Sequence, residues 1–251
     1  MTSSRSRRIV LIDELRGMAV VVMLLIHALY DIVVLAPLDP AVLANSFIAT
    51  VISVFGAVFC FLAGVNSNFS RSNLVRGLRL FAIAIGISLV TWFFLPTQFI
   101  FFGVLHLLGL CMIFYSFAAK KLRRISPLLG FFVCMALFAF TFSLPQGYLG
   151  FFRVRLIALP RVLYSFSFLF PFGLPGPGFQ SADYYPLFPW VFIFLAGAFI
   201  GSTLSKAVLP EWITRVRPSW LSFLGKHSLL IYILHQLALY GLFYLIFKVI
   251  L

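Results

Sequence analysis

The chain has 251 residues, of which 63% are hydrophobic and only 10% are charged, and its formal net charge is +13. A soluble globular domain is nearer half apolar and a quarter charged, so this composition excludes an ordinary soluble domain. The basic excess suggests nucleic acid as a partner, but the Lys and Arg residues occur in short clusters between long apolar runs. That distribution sets the orientation of membrane proteins, so nucleic acid is not an expected partner.

Seven apolar runs are long enough for transmembrane helices, since a helix needs about 20 mostly apolar residues to cross a bilayer. In chain order the predicted spans are Gly17–Ala36, Phe47–Val65, Leu78–Leu95, Phe99–Ala119, Pro127–Leu144, Tyr184–Leu204 and Ser228–Ile250. No stretch between them is long enough to bury a soluble core. The sequence therefore predicts an all-α polytopic bundle of about seven spans that forms one membrane domain over residues 1–251.

The first span resembles a secretory signal peptide because basic residues precede it. However, Asp13, Glu14 and Arg16 adjoin the apolar run, and no small-residue cleavage site is convincing. Six more spans follow, so the first helix is expected to be retained.

The basic residues predict the orientation of the chain. Four positions, Arg153, Arg155, Arg161 and Lys248, fall on one side of the predicted membrane. The other 15 of the 19 fall on the opposite side: Arg5, Arg7, Arg8, Arg16, Arg71, Arg76, Arg79, Lys120, Lys121, Arg123, Arg124, Lys206, Arg215, Arg217 and Lys226. Cytoplasmic segments carry the excess of Lys and Arg. We expect an integral protein of the cytoplasmic membrane, with a cytoplasmic N-terminus and an exofacial C-terminus.

The segment Phe151–Phe172 is apolar enough to suggest an eighth span. It contains three Arg residues and Pro160, and counting it as a span would place the last basic cluster outside. We interpret it as an interfacial or re-entrant helix whose arginines extend to lipid headgroups. The segment after it, Pro171–Gly178, is rich in Pro and Gly and is expected to be an irregular loop.

Ionisable residues inside a span are candidates for function because they are costly in lipid. His27 follows Arg16 by eleven residues, which is about 20° past three helical turns, so both face the same way about 16 Å apart. Asp31 is one turn beyond His27 on the same stripe. Its carboxylate could fix the tautomer of the imidazole and raise its basicity. The alternatives are an orienting anchor for Arg16, a hydrogen-bonded core residue for His27 and an exofacial helix end for Asp31.

Two further histidines, His106 and His235, lie in the fourth and seventh predicted spans. Ser228, Tyr232 and His235 share one helix face. By residue rise, His235, His27 and His106 lie about 10, 15 and 20 Å from the cytoplasmic side, so the three could line one cavity. Either added histidine could instead bond a neighbouring backbone group. The three cysteines, Cys60, Cys111 and Cys134, fall in spans and are interpreted as small buried hydrophobes, and no metal site is predicted.

Several stretches resemble a known superfamily. Arg8–Gly17 followed by His27 resembles the opening of the transmembrane acyltransferases, whose acyltransferase-three family has an Arg and a His separated by ten residues. The whole chain is more similar to bacterial relatives of the catalytic domain of heparan-α-glucosaminide N-acetyltransferase. The stretches that carry this second resemblance are Phe61–Gly64, Phe102–His106, Asp183–Trp190 and Leu224–His235.

The resemblance implies an enzyme that moves an acyl group, acetyl in the closer family, from cytoplasmic acyl-CoA to a hydroxyl or amine of a glycan or lipid-linked acceptor. It implies that Arg16 contacts CoA phosphate and that His27 is the catalytic base. In the lysosomal acetyltransferase an Asn aligns with His27 and the catalytic His lies in the next luminal loop. The corresponding loop here, Leu35–Ser46, has no His. This chain therefore follows the acyltransferase-three pattern at that point.

The residues themselves are compatible with this chemistry. CoA carries several negative charges, which a basic cytoplasmic face attracts, and Arg76, Arg79 and Lys226 are expected to assist Arg16 in binding it. A stabilising donor for the oxyanion could come from Tyr232, Ser228 or His106. Membrane lipids, acyl-CoA and the acceptor are the expected partners, and self-association is left open.

Two other classes of protein use intramembrane histidines. A haem b protein would ligate iron with histidines on facing helices, such as His27 and His235. A proton-coupled transporter also uses intramembrane His and Asp, but it would favour internal repeats, and we detect none.

Overall fold

The computed structural model describes residues 9–36, 38–43, 45–151, 154–208, 210, 214 and 219–250. Eight α-helices are defined within these ranges: α1 (Val10–Leu35), α2 (Ser46–Asn66), α3 (Asn73–Phe94), α4 (Val104–Leu122), α5 (Pro127–Thr141), α6 (Leu187–Leu204), α7 (Trp220–Lys226) and α8 (Ser228–Tyr244). Helix α8 continues as a π-helical segment, Leu245–Ile250.

Seven segments of the described residues are long and apolar enough to cross a membrane, which confirms the predicted number of spans. They comprise α1 to α6 and α8, with α5 counted to Gln146 and α8 to Ile250. Helix α7 has 7 residues and was not predicted. The fold class is therefore the all-α membrane bundle expected from the sequence.

Two predicted helix starts are displaced for identifiable reasons. Helix α1 begins at Val10, so Asp13 lies in its first turn, where the helix dipole favours a carboxylate. Helix α4 begins at Val104 rather than Phe99. The preceding residues are extended because the Phe99 and Phe102 carbonyls accept backbone hydrogen bonds from a distant loop.

The expectation of a helix over Phe151–Phe172 is wrong. Strands β1 (Tyr148–Phe151) and β2 (Val154–Ala158) form an antiparallel hairpin, and 3-10 turns follow at Arg161–Ser165 and Phe170–Phe172. The register shifts between Leu149 and Gly150, and β-branched residues supply much of β2. Such residues favour strands, and Pro160 cannot continue a strand or enter a helix interior.

The described residues divide into two compact units. Unit 1 contains residues 1–59 and 209–251, and unit 2 contains residues 60–208. In unit 1, α1 packs against α7 and α8. In unit 2, α3 packs against α4, and α5 and α4 pack against α6. Each unit is described by itself below.

Glycines permit close backbone contact in both units. In unit 2, a Cβ at Gly64 would lie 1.9 Å from the Phe194 carbonyl oxygen, and one at Gly197 would lie 2.0 Å from the Phe61 carbonyl oxygen. The C-terminal part of α2 and helix α6 therefore meet backbone to backbone, which only glycine at these positions allows. This contact explains why the stretch Phe61–Gly64 has its small residues.

Candidate functional site

In unit 1, helices α1 and α7 cross at two glycines. A Cβ at Gly17 would lie 2.0 Å from the Leu221 carbonyl oxygen, and one at Gly225 would lie 1.8 Å from the Asp13 carbonyl oxygen. No side chain fits at either point, so the two backbones are in direct contact. Helix α8 begins two residues after α7 ends, and this crossing therefore helps to fix where α8 lies against α1.

The structure brings His27 on α1 and His235 on α8 into contact. Their ring centroids are 4.6 Å apart and the ring planes are nearly perpendicular, at 88°. His235 is buried, whereas His27 is partly exposed. Two of the predicted intramembrane histidines thus form one pair.

Hydrogen bonds define the tautomer of each imidazole in this pair. His27 Nδ1 lies 2.9 Å from the Met23 carbonyl oxygen, and His235 Nδ1 lies 2.7 Å from the Tyr232 carbonyl oxygen. A carbonyl oxygen only accepts, so each neutral ring carries its proton on Nδ1. Each Nε2 is then left as the basic nitrogen, and that of His235 has no hydrogen-bond partner among the described residues.

Asp31 does not fix the tautomer of His27, as the sequence had suggested, because the Met23 carbonyl does so. Asp31 is instead completely buried, at 0% exposure, so it is not a solvent-exposed residue. Its Oδ1 accepts a 2.9 Å hydrogen bond from Nε2 of Gln236 on α8. Its Oδ2 has no hydrogen-bond partner within the described part of the chain.

Gln236 is a residue of this site that the sequence analysis missed. It is a polar amide inside the last predicted span, directly after His235. The histidines were predicted as site residues because they are polar and lie within a span, but only ionisable side chains were considered in that way. Applied to amides as well, the same argument would have selected Gln236.

Tyr232 contacts His235 of the histidine pair through its backbone and through its ring. Its carbonyl accepts from His235, and its ring centroid is 5.6 Å from that of His235. Ser228 is buried at the start of the same helix. The predicted shared face of Ser228, Tyr232 and His235 is therefore consistent with a continuous helix, while a catalytic role for Tyr232 or Ser228 stays a prediction.

His106 lies in unit 2 and has the opposite tautomer. The Gly103 N–H donates to His106 Nδ1 over 3.2 Å, so Nδ1 is an acceptor and the proton is on Nε2. Nε2 lies 3.3 Å from Ser88 Oγ, whose hydroxyl donates to the Ile100 carbonyl at 2.6 Å. Both ring nitrogens have hydrogen-bond partners, and His106 caps the N-terminus of α4. Its predicted catalytic role stays untested, and these contacts favour a structural one.

Asp183 completes the same helix start. Its Oδ2 accepts from the Val104 N–H at 3.0 Å, which places a carboxylate at the N-terminus of α4. Phe102 and Tyr184 form a backbone bridge, and the Tyr185 N–H donates to the Phe102 carbonyl. Tyr184 donates to the Phe170 carbonyl at 2.7 Å, and burial raises the pKa of its hydroxyl. The contacts of Phe102 and Val104 with residues 183–185 join segments that are about eighty residues apart in sequence, and we call them the α4 clasp.

The four predicted donor-binding cations are divided between the units. In unit 1, Arg16 Nη1 lies 3.8 Å from Asp13 Oδ1, and Lys226 is exposed directly after Gly225, which packs on Asp13. Arg16 and Lys226 therefore belong to the same end of the α1–α7 contact. In unit 2, Arg76 and Arg79 are exposed in the first two turns of α3.

The histidine pair does not fit a haem with two axial histidines. Such ligands bind the iron from opposite faces of the porphyrin. Rings that touch edge to face at 4.6 Å leave no room for a porphyrin between them. Among the described residues, no group of three or more His, Cys, Asp or Glu side chains is arranged to hold a metal ion.

The comparisons with known proteins give one match. The family model described as heparan-α-glucosaminide N-acetyltransferase, catalytic, matches residues 8–237. The chain belongs to this family. No match was found among curated proteins, and none among solved structures.

Membership in the heparan-α-glucosaminide N-acetyltransferase family identifies an integral membrane protein of an acetyltransferase family. The match includes Arg16 and His27 but does not test the significance of their ten-residue spacing. The stretches that resembled this family now have structural positions. Phe102–His106 and Asp183–Trp190 meet in the α4 clasp, and Leu224–His235 contains Gly225 and His235.

Unit 2 also contains a cavity of about 460 Å³ at the connection between α3 and α4. Its described lining includes five aromatic residues, Trp92, Phe99, Phe101, Phe170 and Phe179, and Gln180 contributes an amide. None of its described lining residues is charged. The described lining of this cavity therefore does not indicate a site for the phosphates of a CoA ester.

Proposed function

We propose that this protein is a membrane-embedded acyltransferase that moves an acyl group, most simply acetyl, from cytoplasmic acetyl-CoA or another acyl-CoA to a hydroxyl or amine of a glycan or lipid-linked acceptor. One observation carries the proposal: two imidazoles in contact inside the helix bundle each have Nδ1 engaged by a backbone carbonyl, which leaves Nε2 basic. Membership in an acetyltransferase family supports the reaction class.

In the proposed reaction, His27 is the general base. Its Nε2 removes the proton from the acceptor hydroxyl or amine as the acceptor oxygen or nitrogen attacks the thioester carbonyl. The tetrahedral intermediate collapses with cleavage of the carbon–sulfur bond, and the imidazolium of His27 returns the proton to the CoA thiolate. His235, in ring contact with His27, would share the stabilisation of the transient positive charge. The Tyr232 hydroxyl is the nearest proposed oxyanion donor on α8.

Arg16 is the proposed first contact for CoA phosphate, with Lys226 beside it at the same end of unit 1. The planar guanidinium of Arg16 can bind a phosphate through two hydrogen bonds. Its ion pair with Asp13 holds that side chain near the surface of α1, so donor binding would exchange one carboxylate partner for a phosphate. Arg76 and Arg79 remain proposed contributors from unit 2.

The proposal places the N-terminus in the cytoplasm and the C-terminus outside the cytoplasmic membrane. The distribution of basic residues supports this orientation. A periplasm-active reporter fused after Leu251 should be active, and one that works only in the cytoplasm should be silent. The reverse result would require either an even number of spans or an inverted seven-span orientation, and the inverted orientation would put the proposed donor site outside the cytoplasm.

The reaction itself is tested with the purified protein in detergent. Release of free CoA thiol from acetyl-CoA should depend on the protein and on an added acceptor, drawn from amino sugars, neutral glycans and lipid-linked sugars. His235→Ala should lose most of that acceptor-dependent release. Absence of thiol release with every acyl-CoA and acceptor, together with proton flux in proteoliposomes, would replace the acyltransferase proposal with a transporter.

A further inference from the structure

Helices α1 and α8 are joined by a second polar contact next to the histidine pair. The Gln236 side-chain amide donates to Asp31 Oδ1 at 2.9 Å, and Asp31 is fully buried. Asp31 follows His27 by four residues on α1, and Gln236 follows His235 by one on α8. The two contacts are therefore neighbours, and the proposed base belongs to the histidine pair.

We propose that Gln236 is a positioning residue: its hydrogen bond to Asp31 sets the rotation of α8 that holds His235 against His27. This inference rests on the proposed acyl transfer by the histidine pair. It assigns to Asp31 a role through Gln236 instead of a direct effect on His27.

Helix geometry explains why a residue adjacent to His235 can control it. Consecutive residues of a helix are about 100° apart, so fixing the direction of Gln236 also fixes the direction of the residue before it. The ring contact of His27 and His235 has no hydrogen bond between the two side chains, since each Nδ1 bonds its own helix. The Asp31–Gln236 bond is a directional side-chain contact between α1 and α8, and it therefore restrains the rotation of α8.

Burial makes this bond costly to lose. Burying a carboxylate carries a large desolvation cost that a hydrogen-bond donor offsets, so removal of the Gln236 amide is expected to destabilise this contact. Without the Gln236 donor, α8 is expected to rotate or shift until another group satisfies Asp31. A displacement of His235 of about 1 Å is enough to lower a rate by roughly a hundredfold when reacting groups must be aligned.

The kinetic test compares three variants of the full-length protein. Gln236→Met keeps the shape of the side chain but removes the donor, and it should lower kcat by about 10- to 100-fold with little change in the KM for acetyl-CoA. Asp31→Asn keeps an acceptor oxygen for Gln236 and should lower kcat less. The double variant should be no worse than Gln236→Met, because both changes act on one bond. Gly241→Ala, at an open position on α8, is the matched control and should retain wild-type kinetics.

The competing explanation is that the charge of Asp31 acts directly on His27. In that case Asp31→Asn would lower kcat at least as much as Gln236→Met, and the double variant would be worse than either. That pattern would overturn the positioning role. It would leave the acyltransferase proposal in place.

A second readout does not depend on activity. The chain has only 4 histidines, so protein labelled with ¹⁵N-histidine should give an interpretable NMR spectrum of the ring nitrogens. Gln236→Met should move the His27 and His235 signals and leave those of His106, which also reports that unit 2 is folded. Unmoved His27 and His235 signals would overturn the positioning role even if activity fell. Conversely, moved signals in a protein whose His27→Ala variant is fully active would refute the proposed catalysis while retaining the positioning contact.

Discussion

Two histidines in apolar helices, one in each unit, have opposite hydrogen-bonding patterns. His27 in unit 1 donates Nδ1–H to a carbonyl of its own helix, so its Nε2 is available as a base. His106 in unit 2 accepts an N–H at Nδ1 and donates from Nε2 to a serine, so neither nitrogen is available. The comparison teaches that burial in a span does not by itself identify a catalytic histidine. The identity of the backbone partner, carbonyl or N–H, separates the two roles.

The difference follows from where each residue lies in its helix. His27 is in the middle of α1, where the backbone groups that a side chain can reach are carbonyls of the preceding turn, here that of Met23. His106 is in the first turn of α4, where backbone N–H groups have no helical acceptor. A histidine at this position can accept a hydrogen bond from one of those N–H groups, as His106 Nδ1 does from Gly103. Unit 1 therefore holds His27 and His235 in the tautomer that the proposed general base requires, whereas His106 in unit 2 caps a helix.

The largest expected effect separates the two histidines by activity. His27→Ala should reduce acyl transfer by about 10²- to 10⁴-fold, the usual loss when a general base is removed. His106→Ala should retain most of its kcat per folded molecule. Turnover of acyl-CoA is measured for both at matched thermal stability in detergent. His27→Asn is the strict companion, because an Asn that supports full activity would mean that a hydrogen bond, and not a base, is needed there.

The second prediction addresses the glycine crossing that positions the unit 1 pair. Gly225→Ala should destabilise the protein by about 1–3 kcal/mol, the usual cost of overpacking, because its Cβ would lie 1.8 Å from the Asp13 carbonyl oxygen. Gly241→Ala on α8 has open space and should be neutral or slightly stabilising. Thermal unfolding in detergent compares the two. Equal stabilities would show that α7 does not pack on α1 through its backbone.

The third prediction concerns the capping role of His106. His106→Ala leaves the Gly103 N–H and Ser88 without their ring partner and should lower stability by about 1–2 kcal/mol. His106→Asn, which offers an acceptor at a similar distance from the backbone, should recover part of the loss. The measurement is the unfolding midpoint with and without added acetyl-CoA. A loss of turnover with unchanged stability would instead make His106 part of the reaction.

The smallest expected effect concerns the donor site. Arg16→Ala should weaken acetyl-CoA binding by about 1.5 kcal/mol, roughly tenfold in Kd, which is the low end for a charge-assisted hydrogen bond because Asp13 already neutralises the guanidinium. Arg16→Lys should restore only part of the affinity, since Lys lacks the planar fork. Titration of each variant with acetyl-CoA at two salt concentrations tests whether the contact is electrostatic. The difference in Kd between wild type and Arg16→Ala should then be smaller at high salt. An unchanged Kd in Arg16→Ala would leave this residue with an orienting role alone.

The number of membrane helices was accessible from the sequence. Seven apolar runs of the required length predict seven membrane helices because the bilayer sets the length and leaves little freedom in the backbone. The same reasoning suggested that His27, His106 and His235 could line one cavity. His27 and His235 are in contact, whereas the contacts of His106 described above are with residues of unit 2. The same reasoning could not predict a hairpin at Tyr148–Ala158, because a short apolar segment with β-branched residues has no length constraint that separates strand from interfacial helix.

The amino-acid sequence by itself determined the membrane class, the number of spans and the set of polar residues placed inside them, because hydrophobic length and the cost of polarity in lipid are properties of composition along the chain. Only the tertiary structure decided which polar groups meet. Asp31 bonds Gln236, 205 residues away, and Asp183 bonds the start of α4 across 79 residues. Sequence periodicity predicts which residues share a face of one helix. Which residue of another helix they contact depends on how closely the two backbones approach, and here glycines such as Gly17 and Gly225 permit that approach.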